Sequence, residues 1–381
     1  MDWKVPLSDI NFGIDEEQAV LHVVRNRWLS MGGLTQTFEN EFASFIGSKH
    51  ALAVTNATAA LHLACVAVGL GPGDEVIIPS LTFVATANAV RYTGATPVFA
   101  DVESLDWLTI SPASIEECIT ERTRAIMVMH YAGFACDMPA IMEIARRHKL
   151  YVIEDSAHAI GSELDGRRLG TWGHIGCFSF FSNKNMTTGE GGMLVTENDE
   201  LAKRIQTLRS HGMTSLSWDR HKGHSWSYDV VDLGFNYRID EIRSALGSVQ
   251  LKKVAASNEH RKHLTTLYRG LLAEHTLDIH LPFSASRGSS CCHIFPILLP
   301  PRMDRTQFME GMKKHGVQTS IHYPPAHRFR IYEQGWQHRG MALPVTEQVV
   351  ARQVTLPLFA TMTESQVEWV VQSARQVLQD G

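Results

Sequence analysis

Short apolar runs alternate with helical patterns over the first 250 residues of the chain. Residues 59–68 are apolar on nearly every side, which predicts a buried helix, and residues 75–78 predict the strand that follows it. The alternation continues through residues 150–153. Strands that alternate with helices indicate βαβ units. We therefore expect an α/β fold with a mostly parallel central sheet that helices cover on both faces.

The pattern changes after Ile239. One long helical stretch comes next, and two later runs, 293–299 and 317–322, predict strands. A final helix is indicated by Thr363-x-x-Gln366, which has the form of a capping box. At about 150 residues per domain, a chain of 381 residues fits two domains or one large one. The expected domains are a large α/β domain over residues 1–250 and a smaller C-terminal α+β domain over residues 251–381.

Composition and charge argue against several classes of protein. Lys plus Arg number 35 and Asp plus Glu number 40, and a net charge of −5 is not typical of a nucleic-acid-binding protein. No apolar run reaches the roughly 18 residues that span a bilayer, and residues 1–6 lack the apolar region of a signal peptide. The six cysteines form no C-x-x-C pair, so we expect reduced thiols. These features predict a cytoplasmic protein without nucleic-acid or membrane partners.

Three segments resemble sites for metals or nucleotides and are interpreted otherwise. Residues 291–293 (Cys-Cys-His) lack the spaced pairs that zinc ligands form, and His221-x-x-His224 lacks the glutamate of an H-E-x-x-H helix. We therefore expect no metal. The glycine-rich residues 69–73 lie between a helix and the next strand, the reverse of the order in a dinucleotide-binding fingerprint. This order disfavours a nicotinamide oxidoreductase, and we expect a helix-terminating turn.

An acid and a lysine stand beyond the ends of two predicted strands. The apolar run from Tyr151 ends in Asp155, and Lys184 follows an aromatic strand that begins near Gly176. A lysine in such a turn is usually a surface residue. Ligands of open α/β sheets, however, bind at the carboxyl ends of strands. A lysine and a carboxylate are the two polar groups that pyridoxal phosphate (PLP) requires: one forms a Schiff base with the aldehyde, and the other keeps the pyridine nitrogen protonated.

A candidate phosphate site precedes them along the chain. Residues 55–59 (Thr-Asn-Ala-Thr-Ala) follow a strand and open the buried helix. Free N–H groups and the positive end of the helix dipole favour a dianion at such a position, and the Thr58 hydroxyl would add a donor. Taken alone, Thr58 is equally well explained as the N-cap of the helix.

Similar segments occur in order along essentially the whole chain: Trp28-Leu29-Ser30, Asn56 to His62, Gly73 to Pro79, Thr82-Phe83, His130 to Gly133, Glu154-Asp155, Phe178 to Phe180, Lys184-Asn185, Gly189 to Gly192, Asn236 to Arg238 and His322 to Pro324. This ordered set resembles the DegT-type family of PLP-dependent sugar aminotransferases, which have the aspartate-aminotransferase-like fold, fold type I. So many segments together are far more specific than one motif.

The resemblance implies roles at the cofactor. Lys184 is expected to be the Schiff-base lysine and Asp155 the partner of the pyridine nitrogen. His158 is expected beside the 3-hydroxyl oxygen of the cofactor, and these three are the expected catalytic residues. Phe83 is expected to stack on the cofactor ring, although a core position is the alternative for this residue.

The resemblance also implies contacts with the phosphate and with the substrates. Ala57, Thr58 and Ser179 are expected to bind the phosphate, although Ser179 has the alternative of a plain strand hydroxyl. Asn236 is expected to reach the phosphate from the neighbouring subunit of a homodimer with shared active sites, and an intrachain turn is its alternative. The expected contacts with the sugar nucleotide are Trp28, Ser30, His322 and Tyr323.

The activity that the resemblance implies is the transfer of an amino group from an amino acid, with glutamate as the implied donor, to a keto carbon of a nucleotide-linked sugar. The variants at residues 130–133 and 156–158 resemble family members that act at carbon 4. A PLP-dependent sugar dehydratase of the same fold is disfavoured because those relatives replace the lysine by histidine. A non-catalytic regulatory or sugar-sensing relative is disfavoured because Lys184 and Asp155 are both present.

Overall fold

A central sheet of buried strands organises the computed structural model, which describes residues 3–214, 227–274, 278–285, 287–333 and 342–380. Its helices are α1 (Ile14–Asn26), α2 (Gly33–Ile46), α3 (Ala57–Ala67), α4 (Val84–Tyr92), α5 (Pro112–Cys118), α6 (Met138–His148), α7 (Asp199–Leu208), α8 (Glu241–Glu274), α9 (Arg305–Lys314), α10 (Arg330–Glu333), α11 (Pro344–Arg352) and α12 (Glu364–Asp380). Its strands are β1 (His50–Val54), β2 (Glu75–Pro79), β3 (Thr96–Ala100), β4 (Thr123–Met129), β5 (Tyr151–Asp155), β6 (Glu163–Leu164), β7 (Arg167–Arg168), β8 (Ile175–Ser179), β9 (Gly192–Thr196), β10 (Phe295–Leu298) and β11 (Gln353–Leu356). Two 3₁₀ turns span Tyr131–Gly133 and Ala326–Arg328.

Within the described residues, the main sheet has seven strands in the order β1-β9-β8-β5-β4-β2-β3. Strand β9 is antiparallel to both of its neighbours, and the remaining pairs are parallel. Strands such as β2 and β8 are buried along their whole length, as a sheet covered on both faces requires. The predicted α/β fold with a mostly parallel central sheet is confirmed.

Helix α3 is the buried helix that its apolar sequence predicts, and eight of its eleven residues are buried. The Asn56 side chain caps the helix by accepting a hydrogen bond from the Ala59 N–H at 2.8 Å. The N-cap alternative for Thr58 is therefore wrong, because Thr58 is the second helical residue. The chain leaves the helix where Gly69 takes a left-handed conformation with φ 83°. The glycine-rich segment is the helix-terminating turn that the sequence predicts.

The long helix α8 takes part in two hydrophobic cores. Leu251 and Val254 pack in a core with side chains of α2, β8 and β9. Leu264 and Tyr268, further along the same helix, pack in a second core with β10 and β11. The helix thus runs through residue 250, and the two-domain division at that position stays a prediction.

The C-terminal region agrees with the sequence in part. The capping box is present: the Thr363 N–H donates to Gln366 Oε1 at 2.9 Å, and the Gln366 N–H donates to Thr363 Oγ1 at 3.3 Å. The strand expected over 317–322 is wrong, since this segment has only isolated bridges, Val317 with Val5 and Ser320 with Thr355. Each bridge of segment 317–322 joins it to a single residue, so no ladder of strand hydrogen bonds extends along the segment.

The carboxyl ends of the parallel strands β2, β4, β5 and β8 lie at one edge of the sheet. The amino end of β9 is at the same edge because β9 runs in the opposite direction. Polar residues that follow these strands are thereby brought together, although long stretches of chain separate them.

Candidate active site

A cavity of about 370 Å³ opens at this edge of the sheet. Nine of the residues singled out in the sequence line it: Ala57, Thr58, Phe83, Asp155, His158, Ser179, Lys184, His322 and Tyr323. They come from the start of α3, the end of β5, the end of β8 and the loop after it, the start of α4 and a segment near residue 322. The expected cofactor residues of one chain therefore share a single cavity.

Asp155 ends β5 and is held in place by two hydrogen bonds. The Thr86 hydroxyl donates to Asp155 Oδ2 at 2.8 Å, and the Ala157 N–H donates to Oδ1 at 3.2 Å. Burial raises the pKa of the Asp155 carboxyl, while the Thr86 hydrogen bond and the charge of Lys184 oppose that change. A cationic ring nitrogen next to this carboxylate would stabilise its charge further.

Lys184 follows β8 and presents its amino group to the cavity. No hydrogen bond from the described residues reaches this amino group. Burial lowers the pKa of Lys184 to about 8, and the negative charge of Asp155 limits that decrease. The neutral, nucleophilic form of this amine is therefore far more populated near neutral pH than that of an ordinary lysine. The general expectation of a surface lysine does not apply at this position.

His158 and Tyr323 join two sides of the cavity. His158 Nε2 and the Tyr323 hydroxyl are hydrogen-bonded at 2.8 Å, and the Tyr323 ring lies 5.5 Å from that of Phe83. Burial lowers the pKa of His158 well below its usual value, so this imidazole is neutral. Burial likewise lowers the pKa of His322 to about 4. The histidines of the cavity therefore contribute no positive charge near neutral pH.

The candidate phosphate site, which we call the phosphate cradle, combines the start of α3 with the start of β9. The first N–H groups of a helix have no intrahelical acceptor, and the Asn56 side chain caps only that of Ala59. The N–H groups of Ala57 and Thr58, two residues that line the cavity, therefore have no acceptor among the described residues. A Cβ added to Gly192 would lie 2.5–2.8 Å from backbone atoms of Asn56 and Ala57. Glycine is thus required at 192 for the close approach of β9. Ser179 lines the same cavity, and its hydroxyl accepts a hydrogen bond from the Phe181 N–H at 3.3 Å.

The remaining expected site residues have different surroundings. Phe83 is 51% exposed at the start of α4, which rules out the alternative of a core position. Asn236 is exposed, pairs by its backbone with Ser210 and does not line the cavity of its own chain. Trp28 and Ser30 do not line the cavity either, and their contact with a sugar nucleotide stays a prediction.

Several residues that support the site were not singled out in the sequence. Thr86 orients Asp155, and its own hydroxyl is 2.7 Å from that of Thr82. The spacing of four residues on a helix that starts beside Phe83 is the signal that would have found this pair. Asn183 and Glu190 also line the cavity. No local pattern distinguishes these two from surface polar residues.

Polar atoms without partners indicate that this cavity is built for a polar ligand. Asn183 Oδ1 and His158 Nδ1 are both buried and have no hydrogen-bond partner within the described part of the chain. Buried polar atoms in native structures nearly always have a partner, so unpaired ones in a cavity point to a bound group. A free lysine, a buried carboxylate and a helix N-terminus together fit PLP: Lys184 would bind the aldehyde carbon, Asp155 the ring nitrogen, and Ala57, Thr58 and Ser179 the phosphate.

The residues considered for metal binding have other contacts. The Cys291 thiol donates to the His158 carbonyl oxygen, and no group of three metal-ligating side chains occurs in the described parts of the chain. His221 and His224 lie outside the described residues. In the same described parts, none of the helices combines the length and the apolar composition that crossing a membrane requires.

Comparison with known proteins identifies the family. The sequence profile of the DegT/DnrJ/EryC1/StrS aminotransferase family matches residues 12–375. The chain is 36% identical over 379 residues to the spore coat polysaccharide biosynthesis protein SpsC of Bacillus subtilis, covering 98% of this chain and 97% of SpsC. The structure of PseC from Helicobacter pylori, an aminotransferase involved in the biosynthesis of pseudoaminic acid, superposes with a TM-score of 0.92 at 28% identity over the whole of both chains.

A third relative carries the cofactor. NtdA from Bacillus subtilis, solved with bound PMP, the amino form of PLP, has a TM-score of 0.85 at 30% identity, covering 96% of this chain and 82% of NtdA. These structures share fold type I with the present chain, and the predicted cofactor, pyridoxal 5'-phosphate, is confirmed. The chain therefore belongs to the DegT/DnrJ/EryC1/StrS aminotransferase family and is a PLP-dependent sugar aminotransferase.

Proposed function

We propose that this enzyme transfers the amino group of an amino acid, glutamate, to a keto carbon of a nucleotide-linked sugar. The observation that carries the proposal is that Lys184, whose amino group has no hydrogen-bond partner among the described residues, shares one cavity with Asp155 and the phosphate cradle. Two relatives support a sugar acceptor, since one is a polysaccharide biosynthesis protein and the other acts in pseudoaminic acid biosynthesis.

Lys184 and Asp155 have different roles in proton transfer. PLP, when bound, supplies an electron sink that stabilises negative charge at the carbon losing its proton. Lys184, with its pKa lowered to about 8, first acts as a nucleophile and then, once displaced by the donor amine, as the base that moves this proton. Asp155 keeps a proton on the ring nitrogen. The Thr86 hydrogen bond holds its carboxylate in the orientation that this contact needs.

The acceptor sugar would enter the same cavity after the donor product leaves. We propose that Tyr323 and His322 contact it, because both line the cavity and the Tyr323 ring lies 5.5 Å from that of Phe83. Tyr131 and Gln353 hold this segment by donating hydrogen bonds to the His322 carbonyl oxygen. We place the amination at carbon 4 because residues 130–133 and 156–158 resemble family members that act there.

We also propose a homodimer in which Asn236 reaches the phosphate of the partner's cofactor. Asn236 is exposed on its own subunit, so it is available to a second one. Apolar side chains just before it, Val231 at 62% and Leu233 at 84% exposure, need cover of the kind a partner supplies. A two-fold contact would make this arrangement reciprocal.

The reaction is proposed to take place in the cytoplasm. All six cysteines are buried free thiols, a state typical of a reducing compartment. This observation agrees with the expectation from the sequence.

The test is incubation of the enzyme with glutamate and a panel of 3-keto and 4-keto sugar nucleotides, with NMR of the products. We expect 2-oxoglutarate together with a sugar that carries nitrogen at carbon 4. The Lys184→Ala variant is the control, since any aminated sugar that forms in its presence arises without catalysis by Lys184. Amination at carbon 3 would contradict the assigned position, and turnover with non-sugar ketones alone would contradict the sugar acceptor.

A further inference from the structure

The two neighbours of Asn236 in the chain both lie against one side chain of helix α3. The ring centroids of His62 and Phe235 are 4.7 Å apart, and those of His62 and Tyr237 are 5.9 Å apart. His62 Nδ1 and the Tyr237 hydroxyl are also hydrogen-bonded at 3.1 Å. His62 is only 5% exposed, so close packing gives its ring a defined position for these contacts.

The backbone at Asn236 is extended, since this residue forms an antiparallel bridge with Ser210. Successive side chains of an extended segment point to opposite sides. Phe235 and Tyr237 both point inward to His62, so the side chain between them points outward, and Asn236 is exposed. The direction of the Asn236 side chain therefore depends on what holds its two neighbours.

Two other routes by which His62 would affect a cofactor phosphate have to be considered. Burial lowers the pKa of His62, so the ring is neutral near neutral pH and adds no positive charge that attracts a phosphate. His62 also lies on α3, whose start belongs to the phosphate cradle, and the Tyr237 carbonyl accepts from the Thr55 N–H beside that start at 2.9 Å. An effect of His62 on the cradle of its own subunit is therefore the alternative that an experiment must separate.

We propose that His62 positions Asn236 for the cofactor of the partner subunit, so that helix α3 serves both active sites of the dimer. The start of α3 holds the phosphate of its own subunit's cofactor, and the middle of the same helix orients the residue that reaches the other one. His62 does not line the cavity of its own chain, so it is a positioning residue. The inference rests on the proposed homodimer, in which Asn236 contacts the partner's cofactor.

The readout is PLP affinity, measured by fluorescence titration of the cofactor-free enzyme without any substrate. His62→Leu removes the hydrogen bond and the ring contacts but keeps an apolar side chain. We expect this variant and Asn236→Ala each to bind PLP about tenfold more weakly, because both lose a hydrogen bond to a charged phosphate. Tyr237→Phe keeps the ring and loses only the hydroxyl, so we expect a change of about threefold. In the Asn236→Ala background, neither further substitution should weaken binding again.

Mixed dimers determine in which subunit His62 acts. In a heterodimer of Lys184→Ala and His62→Leu chains, only the His62→Leu chain carries the lysine, so the visible absorbance of lysine-bound PLP reports that site alone. This site receives its Asn236 from the Lys184→Ala chain, in which His62 is intact. We expect its PLP affinity to return to within about threefold of the wild-type value. The same recovery is expected with Tyr237→Phe in place of His62→Leu, so the test does not depend on whether His62→Leu folds.

The outcomes distinguish this inference from the proposed function. An affinity in the confirmed heterodimer as weak as in the His62→Leu homodimer would show that His62 acts on its own cradle and would overturn the inference. A full further loss in the Asn236→Ala background would do the same. If Asn236→Ala weakens binding and His62→Leu and Tyr237→Phe do not, the inference is wrong and the proposed contact of Asn236 stands. If Asn236→Ala binds PLP like the wild type, both are wrong.

Discussion

Lys184 is chemically unusual because its amine is buried in a cavity beside one carboxylate. Burial lowers the pKa of Lys184 to about 8, so the reactive neutral amine should predominate above that pH. We expect reductive methylation of Lys184 in cofactor-free enzyme to rise with pH through a midpoint near 8, as measured by mass spectrometry against added Nα-acetyl-lysine. Asp155→Asn removes a charge that raises this pKa, so its midpoint should be lower. A midpoint near the ordinary 10.5 would contradict the burial of the amine.

The identity of the reactive lysine is tested by its removal. Lys184→Ala should purify without the visible absorbance of lysine-bound cofactor and should not turn over, because no other amine lines the cavity as the structure describes it. The phosphate cradle is intact in this variant, so PLP should still bind. Borohydride reduction of the wild-type enzyme and peptide mapping should place the pyridoxyl label on Lys184. A label on another lysine would disprove the assignment.

Asp155 is expected to act by charge more than by shape. Asp155→Asn is nearly isosteric and retains an oxygen for the Thr86 hydrogen bond, so the variant should fold and bind PLP. An amide cannot keep the ring nitrogen protonated, and the lost stabilisation is about 3 kcal/mol, or about a hundredfold in kcat. Single-turnover kinetics with glutamate measure this change. A variant within about threefold of the wild-type rate would show that Asp155 is not the ring partner.

At the scale of secondary structure, the site depends on how closely β9 approaches α3. In Gly192→Ala the new methyl group would meet backbone atoms of Asn56 and Ala57 at 2.5–2.8 Å and displace the start of α3. Overpacking of this kind costs on the order of 1–3 kcal/mol, so we expect PLP affinity to fall about tenfold or more. Fluorescence titration of the cofactor-free protein with PLP measures this affinity.

Gly71→Ala is the matched control for that substitution. A methyl group at Gly71 meets nothing within 4 Å and the residue lies in the turn before β2. PLP affinity should therefore be unchanged. Equal affinities for the Gly192 and Gly71 variants would mean that α3 does not form the cradle.

At the scale of the whole molecule, the shared site is tested by mixing inactive chains. Lys184→Ala lacks the reactive amine, and Asn236→Ala is expected to bind the phosphate weakly. If Asn236 acts on the partner subunit, a heterodimer of the two contains one site with both residues intact. Refolding the variants together should then raise PLP affinity and activity above either parent. Unchanged activity in a confirmed heterodimer would show that Asn236 serves its own chain or none.

The sequence by itself determined the position of the chemistry along the chain. Asp155 and Lys184 were recognised because each follows an apolar strand, and a strand end is a local property of the sequence. The start of α3 was recognised for the same reason, although the capping residue proved to be Asn56 and not Thr58. The parallel sheet then brings these ends together, as the alternation of strands and helices predicts.

The tertiary structure decided which side chains support that chemistry. Thr86 reaches Asp155 across 69 positions of the sequence, and His158 reaches Tyr323 across 165. The local sequence around His293 resembles only an incomplete metal site, whereas in the fold its ring lies against His158 and its Nδ1 is 2.8 Å from Asn185 Oδ1. The segment 317–322 has no strand ladder because its bridging partners are the single residues Val5 and Thr355. Such contacts depend on packing between elements that are distant in the sequence, so the local pattern of apolar and polar residues cannot predict them.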